Sequence, residues 1–322
     1  MFRNTVLLSL AASAKLAAAG LYPGITPHNH TCALVDPILS CSAAADPSKV
    51  DSCCTETFGG LVLITQFWDT YTGLEKDGQL LPQKAWTIHG GWPDYCSGKP
   101  FLSVAARQYD PKPSPNTTTG TPDGTPVPPY KGESIDKWFV PNGKGDLLAY
   151  MNRHWVSQLD PNWVLWAHEY SKHATCFSTF QTECYGPNYS KFDDLFEFFE
   201  TVIRYHRTLP TYDWLSAAGI KPSNKTSYSV AKIQKALSDS YGQPPFVGCG
   251  GPKYNETEAG KGSLDNGGTV LNEMWYYSNV LGRLQDQKAL RLPASVGGRL
   301  TSCAQADNAV WYYERTNGSE FR

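Results

Sequence analysis

Nine cysteines constrain this 322-residue chain more than any other feature. An odd number cannot all pair within one chain. Cys53 and Cys54 are adjacent and poorly placed to bond each other, so each must reach elsewhere. That many cysteines suits an oxidising compartment, and the amino terminus agrees. Arg3 precedes a mostly apolar run from Val6 to Ala14, and Ala17-Ala18-Ala19 stands before Gly20. Residues 1–19 therefore read as a signal peptide, interrupted by Lys15. The apolar run is too short to span a bilayer, and no other segment approaches the required length. Residues 20–322 are expected to form one domain, exported as a monomer to the outside or to a vacuole-like lumen. Asn-x-Ser/Thr acceptor patterns at Asn29, Asn116, Asn188, Asn224, Asn255 and Asn317 fit an exported glycoprotein.

The chemistry is concentrated in two short segments. One is Trp86-Thr87-Ile88-His89-Gly90-Gly91-Trp92-Pro93-Asp94. The other is Trp166-Ala167-His168-Glu169-Tyr170-Ser171-Lys172-His173-Ala174-Thr175-Cys176. Histidine both gives and takes a proton near neutral pH. Two imidazoles on separate segments, with a lysine between, suit transfer at a phosphate: one deprotonates the nucleophile, the other protonates the leaving group, and the cation stabilises the phosphorane. If residues 166–175 are helical, His168, Glu169, Lys172 and His173 fall within an arc of about 140°, at about 100° per residue. Ala167, Tyr170 and Ala174 then turn toward packing. Each residue also has a plainer reading. Either histidine can be a hydrogen-bonded structural residue, Glu169 and Lys172 can be a solvated i,i+3 pair, and Trp86, Trp92 and Trp166 can be core.

Together the two segments resemble the active-site motifs of the ribonuclease T2 family, and the resemblance extends over roughly residues 30–315. It implies an α+β fold with a central, mainly antiparallel sheet packed with helices. It implies an endoribonuclease acting on single-stranded RNA with low base specificity. His173 would be the base and His89 the acid. Glu169 and Lys172 would stabilise the phosphorane, and His168 would hold the phosphate. The product would be a 2′,3′-cyclic phosphate, later hydrolysed to a 3′-phosphate. DNA lacks the 2′-OH and should be inert, and the chemistry calls for no metal and no cofactor. For base recognition the family pattern points to Trp92 and Asp94, with Phe101 as an opposite wall and Gln66 toward a second base. Gln66 serves equally well as a residue satisfying strand-end backbone. The resemblance pairs Cys32 with Cys54, Cys41 with Cys96, Cys53 with Cys184 and Cys249 with Cys303. The family's partner for Cys176 is missing, since no cysteine lies between Ser97 and Thr175, which leaves Cys176 a reduced, buried thiol. Gly91 stands where the family has leucine and is expected to loosen the position beside His89.

The net charge of −2 lacks the basic balance of a general nucleic-acid binder. It implies a local site for one or two nucleotides, in a chain whose 13% aromatic residues include some that can stack bases. A zinc hydrolase is a second reading, but the zincin motif spaces its histidines by four, whereas His168 and His173 are five apart. A binding glycoprotein without catalysis leaves intact histidines unexplained, and so does a Trp-rich carbohydrate-binding module.

Hydropathy patterning places the remaining elements. Leu61 to Trp68 reads as a buried strand and Trp86 to His89 as a strand with His89 at its end. Residues 30–58 are turn-rich, and Asp110 to Gly132 is a Pro/Thr/Gly-rich surface loop. Helices are expected over Gly145 to Leu159, Lys191 to Arg207, Tyr212 to Ala218 and Val230 to Tyr241. Late strands are expected over Val270 to Ser278 and Ala309 to Tyr313.

Overall fold

A computed structural model of the protein describes residues 31–57, 59–98, 132–251 and 269–321. The signal-peptide segment, the 110–132 loop, Phe101 and the sequons at Asn29, Asn116 and Asn255 lie outside the described residues. The architecture is a seven-stranded, mainly antiparallel sheet with helices, as the sequence implied. Strands run in the order β2-β1-β5-β7-β3, with β4 and β6 also paired to β5.

The sheet is organised by its two most apolar strands. β1 (Leu61–Phe67) is buried on both faces until its last residue, which is what four consecutive aliphatic residues require. β2 (Thr87–Asp94) and β5 (Val270–Val280) flank it, both antiparallel. β5 is long enough to pair further with β4 (Phe246–Gly250), β6 (Ala289–Leu292) and β7 (Val310–Trp311). Among the named strands of the described residues, only β5 and β7 run parallel, at Val270 and Trp311. β3 (Ser227–Tyr228) closes the edge on β7.

Helices cover one face. α1 (Gly145–His154) and α2 (Asn162–Lys172) bury Met151, Trp166 and Ala167. α3 (Asp193–His206) presents Leu195, Phe196, Phe198, Phe199, Val202 and Ile203 to the core that Val62 and Ile64 enter from β1. It starts two residues later than the pattern predicted. Phe192 adopts a left-handed conformation at φ 79° and stacks on Trp138, ring centroids 4.7 Å apart. α4 (Thr211–Ala217) and α5 (Val230–Tyr241) pack on each other farther along. α5 begins at Ser229, whose side chain caps Lys232 N–H, and ends at Gly242 with φ 87°. α1 stops five residues short of expectation, because Trp155 leaves the helical region to bury its ring.

The four disulfides join Cys32 to Cys54, Cys41 to Cys96, Cys53 to Cys184 and Cys249 to Cys303. Three of them secure the amino-terminal segment, which holds one short 3-10 turn (Cys32–Leu34) and otherwise only turns. Cys176 stands outside the bridges, buried, with its sulfur 3.5 Å from the Lys172 carbonyl. Asn224 and Asn317 are at the surface. No described helix is long and apolar enough to cross a membrane. Thiol titration of the denatured, unreduced protein should find one reactive group, mapped by peptide analysis to Cys176. Severing Cys53–Cys184 by double serine substitution should cost about 2–5 kcal/mol in denaturant unfolding. A bridge from Cys176 to any other cysteine would refute this arrangement.

Candidate active site

The expected cluster assembles where β2, α2 and β5 meet. His89 was placed at the end of a strand; the structure puts it in the interior of a longer one. The register of β1 on β2 skips there: Thr65 faces Gly90 and Gln66 faces Ile88, so His89 is the extra residue of a bulge. A bulge re-aims a side chain out of the alternating pattern. Here it lets His89 and Trp92, three residues apart, reach the same site. The interrupted ladder is repaired by Thr65, whose hydroxyl accepts from Gly90 N–H (3.0 Å). Trp155 holds the next group, its indole N–H donating to the His89 carbonyl (2.8 Å). Trp166 in turn donates to the Trp155 carbonyl (2.8 Å).

α2 supplies the other side. It was read as continuing to residue 175, but it ends at Lys172 and gives way to a 3-10 turn over Ala174–Cys176. His173 is its C-cap, with its N–H still bonded to the Glu169 carbonyl. Ala167, Tyr170 and Ala174 are buried, as the wheel required.

Glu169 is the centre of the cluster and is wholly buried. Its Oε2 accepts from Trp92 Nε1 (2.9 Å). Its Oε1 lies 3.7 Å from His89 Nε2 and 3.9 Å from His173 Nε2, and makes no hydrogen bond. Both imidazoles thus converge on one oxygen with hydrogen-bonding capacity to spare. Trp92 fills the space between them, stacked on His173 (5.1 Å) and edge-on to His89 (4.6 Å). Phe67 covers the other side of His89 at 3.7 Å. His168 stands at the exposed rim, 5.9 Å from His173 ring to ring.

Burial dominates the electrostatics. It pushes the Glu169 carboxyl up to about 8, against the Trp92 hydrogen bond and the Lys172 charge. Burial, followed by the charges of Lys172, His168 and His89, holds His173 well below the ordinary imidazole range. His89 is also lowered by burial, with Glu273 pulling it back upward. Desolvation, then Lys172 and His89, take His168 to about 4. Burial thus favours the neutral forms of Glu169, His89 and His173, and a bound anion would favour the charged imidazoles.

One residue escaped the sequence reading. Glu273 of β5 lies 2.8 Å from His89 Nδ1. Its carboxylate accepts the Nδ1 proton and leaves Nε2 facing Glu169. The signal was a single acid in a strand read as core, Val270 to Ser278, and only the β1–β5 pairing gives it a partner.

The base-binding candidates fare unequally. Gln66 is fully buried; its amide donates to the Leu209 carbonyl (3.0 Å) and accepts from Thr211 Oγ1 (2.5 Å). Both ends are consumed inside the core, by Leu209 and Thr211 rather than by strand-end backbone, and the side chain offers a base no exposed surface. One face of Trp92 is already covered by His173. Asp94 follows Trp92 on the same strand face and is 9% exposed. Gly91 does not loosen the site. A β-carbon there would meet Val202 Cγ2 at 2.6 Å, so α3 already fills the space. At Gly90 a β-carbon would fall 1.7 Å from Glu169 Oε2, so glycine alone admits the carboxylate.

The spacing argument against a metal also needs correction. Although His168 and His173 are five residues apart, one ligand atom each from His168, Glu169 and His173 lie within 4.8 Å of one another. That trio has the donor types to hold a divalent cation.

Two outcomes test this geometry. Gly91→Leu should destabilise the fold by about 1–3 kcal/mol through overpacking, and Val202→Ala in the same chain should recover most of the loss in denaturant unfolding. Glu273→Ala should lower kcat by about 10–100-fold, the scale seen when a histidine loses its orienting partner, with little change in KM. The alkaline limb of its kcat profile should move to lower pH, because the group that raises His89 is gone. Glu273→Gln should show the same pH movement with a smaller rate loss; an unmoved limb in both variants would remove Glu273 from this role.

The model of the Ribonuclease T2 family matches residues 59–285. Ribonuclease Le2 of Lentinula edodes is 36% identical over 220 residues, covering 68% of this chain and 79% of that protein. Ribonuclease T2-like 1-A of Candida albicans is 32% identical over 259 residues, which is 80% of this chain. The chain spans about half the length of that relative, 54%. Among solved structures, Actibind, a T2 ribonuclease, superposes with a TM-score of 0.62 at 28% identity, covering 88% of this chain and 97% of that one. With the match spanning both histidine segments and strands β1 to β5, this chain belongs to the ribonuclease T2 family.

Proposed function

We propose that the protein is an endoribonuclease that cleaves single-stranded RNA by attack of the 2′-OH on the adjacent phosphorus. The observation that carries this reading is the convergence of His89 Nε2 and His173 Nε2, at 3.7 and 3.9 Å, on a single buried oxygen of Glu169. Two imidazoles held on opposite elements around an acid group are what an in-line displacement with two proton transfers requires.

His173 takes the 2′-OH proton, the oxygen attacks phosphorus, and His89 protonates the departing 5′-oxygen. The cyclic phosphate left behind is opened by water to a 3′-phosphate, with the two histidines exchanging roles. Glu169 enters as a neutral acid over the acidic range, since burial raises it to about 8. Its proton at Oε1 donates to a phosphoryl oxygen, and Lys172 adds a positive charge as negative charge grows there. His168, at the rim, holds the phosphate. Asp94 accepts from an exocyclic amine where the base carries one, and because the reacting groups are the ribose 2′-OH and the phosphate, base specificity stays low. The residues present supply every proton and charge the reaction needs, so turnover requires no metal. DNA, lacking the 2′-OH, is not cut. The disulfides and surface sequons fit a monomeric glycoprotein working outside the cell or in a vacuole-like lumen.

Purified protein incubated with RNA homopolymers in excess EDTA should release 2′,3′-cyclic phosphate and leave DNA intact. His89→Ala and His173→Ala should each lose about 10²–10⁴-fold in kcat while staying folded. The kcat/KM profile should be bell-shaped with its optimum on the acid side of 6.5. The sign follows from the roles. His173 must be neutral, so activity falls below its lowered pKa. His89 must be protonated, so activity falls above its own lowered pKa. Lys172→Ala should lower kcat more than it raises KM and shift the acid limb upward, because the charge depressing His173 is removed. Near-normal turnover by either folded histidine variant would sink the proposal, and abolition by EDTA would assign His168, Glu169 and His173 to a metal instead.

A further inference from the structure

A second histidine cluster lies away from the catalytic one. A cavity of about 180 Å³ is bounded by the segment leading into β2, by α1, and by the chain running from the end of α3 into α4. His206, Arg207, His154 and Lys84 line it, and none of the residues assigned to catalysis does. His206 is 8% exposed. Its Nε2 lies 3.1 Å from the Trp86 carbonyl, so Nε2 carries the proton and donates. Its Nδ1 is buried and has no hydrogen-bond partner among the described residues. An orphaned buried nitrogen is destabilising, and nothing in the ribonuclease mechanism requires it.

The charges around it are one-sided. Lys84 and Arg207 are exposed at the mouth, and neither forms an ion pair within the described residues. Asp213 of α4 is the one carboxylate in the lining. With both imidazoles neutral the cavity carries one net positive charge; with both protonated it carries three. The Tyr150 ring sits 4.4 Å from that of His154, and Tyr212 completes the wall. The volume is below the 300–1,000 Å³ typical of drug-sized ligands, so it suits a small group rather than a whole nucleotide.

We propose that this cavity binds a tetrahedral oxyanion, a phosphate group, held by Lys84 and Arg207 at its mouth and by the charge that His154 and His206 take on in its wall. Binding takes up protons. In the empty cavity burial holds His206 down at about 4, offset in part by the Trp86 carbonyl and deepened by His154. Burial and Arg153 lower His154. A bound dianion favours both charged imidazoles, so affinity rises as pH falls through the imidazole range. Asp213, the carboxylate in the lining, opposes the anion, and Tyr150 and Tyr212 remain neutral throughout. The site bears on β2 through the Trp86 carbonyl, but its existence does not depend on the ribonuclease reading.

The test follows histidine ring signals by NMR in the intact protein during titration with sulfate, whose charge is constant across the range. At about pH 5 the His154 and His206 signals should move saturably, and the apparent Kd should weaken by about tenfold or more by about pH 7.5. Lys84→Ala/Arg207→Ala, a pair on the surface, should abolish that movement while leaving RNA cleavage unchanged. Two further probes separate the sources of the phosphate. Inorganic phosphate binding as well as a 3′-phosphorylated nucleoside identifies the free ion. Clearly tighter binding of the nucleotide identifies a phosphorylated nucleoside resting on the tyrosine rings. Signals of His154 and His206 that do not respond at about pH 5, or that respond equally in the double variant, would overturn the proposal.

Discussion

Everything at the catalytic centre depends on one buried carboxyl group. Glu169 is out of contact with water, bonded on one oxygen to Trp92 and facing two imidazoles with the other. An ionised carboxylate in that position would carry a large desolvation penalty. The structure answers by letting it hold a proton up to about 8. A neutral acid in a dry site is a directed donor, and it leaves room for the charge that develops on the substrate. The same burial lowers the histidines, so the centre is built to be charged by its ligand rather than before it.

Placing that carboxyl demands a close approach of helix to strand. Gly90 makes the approach possible, since any β-carbon there would overlap the Glu169 oxygen. Gly91 does the same for α3 through Val202. The bulge at His89 is locked from both sides, by Thr65 within the sheet and by the Trp166–Trp155 chain from the helices. Each such buried bond contributes about 1 kcal/mol net, but breaking one leaves a buried group unsatisfied, which costs more. Glu273 adds the last restraint, fixing which nitrogen of His89 faces the reaction.

The disulfides act at a different level. The segment before β1 has little regular structure and cannot secure itself by a hydrogen-bond ladder. Cys41–Cys96 ties it to the chain just beyond β2, and Cys53–Cys184 ties it to the connection between α2 and α3. Glu56 reinforces that second attachment, its buried carboxylate accepting from the backbone and hydroxyl groups of Ser178 and Thr179. Bridges and hydrogen bonds together fasten this segment to the chain beyond β2 and to the connection between α2 and α3.

The sequence by itself determined the elements whose chemistry is local. Four aliphatic residues in a row made β1 a buried strand, and apolar spacing made α3 and α5 helices. Two histidine segments named the residues that assemble in the candidate site, and the family resemblance implied all four cysteine pairs. Tertiary structure decided what depends on register and distance. A bulge cannot be read from one strand, because it is a mismatch between two. Glu273 had no meaning until β5 lay beside β1, and Gln66 was settled only by Leu209 and Thr211 arriving beneath it. Side-chain placement, which spacing alone does not fix, brings a ligand atom each of His168, Glu169 and His173 within 4.8 Å of the others. The cavity around His206 draws on segments more than a hundred residues apart, and only folding makes them one site.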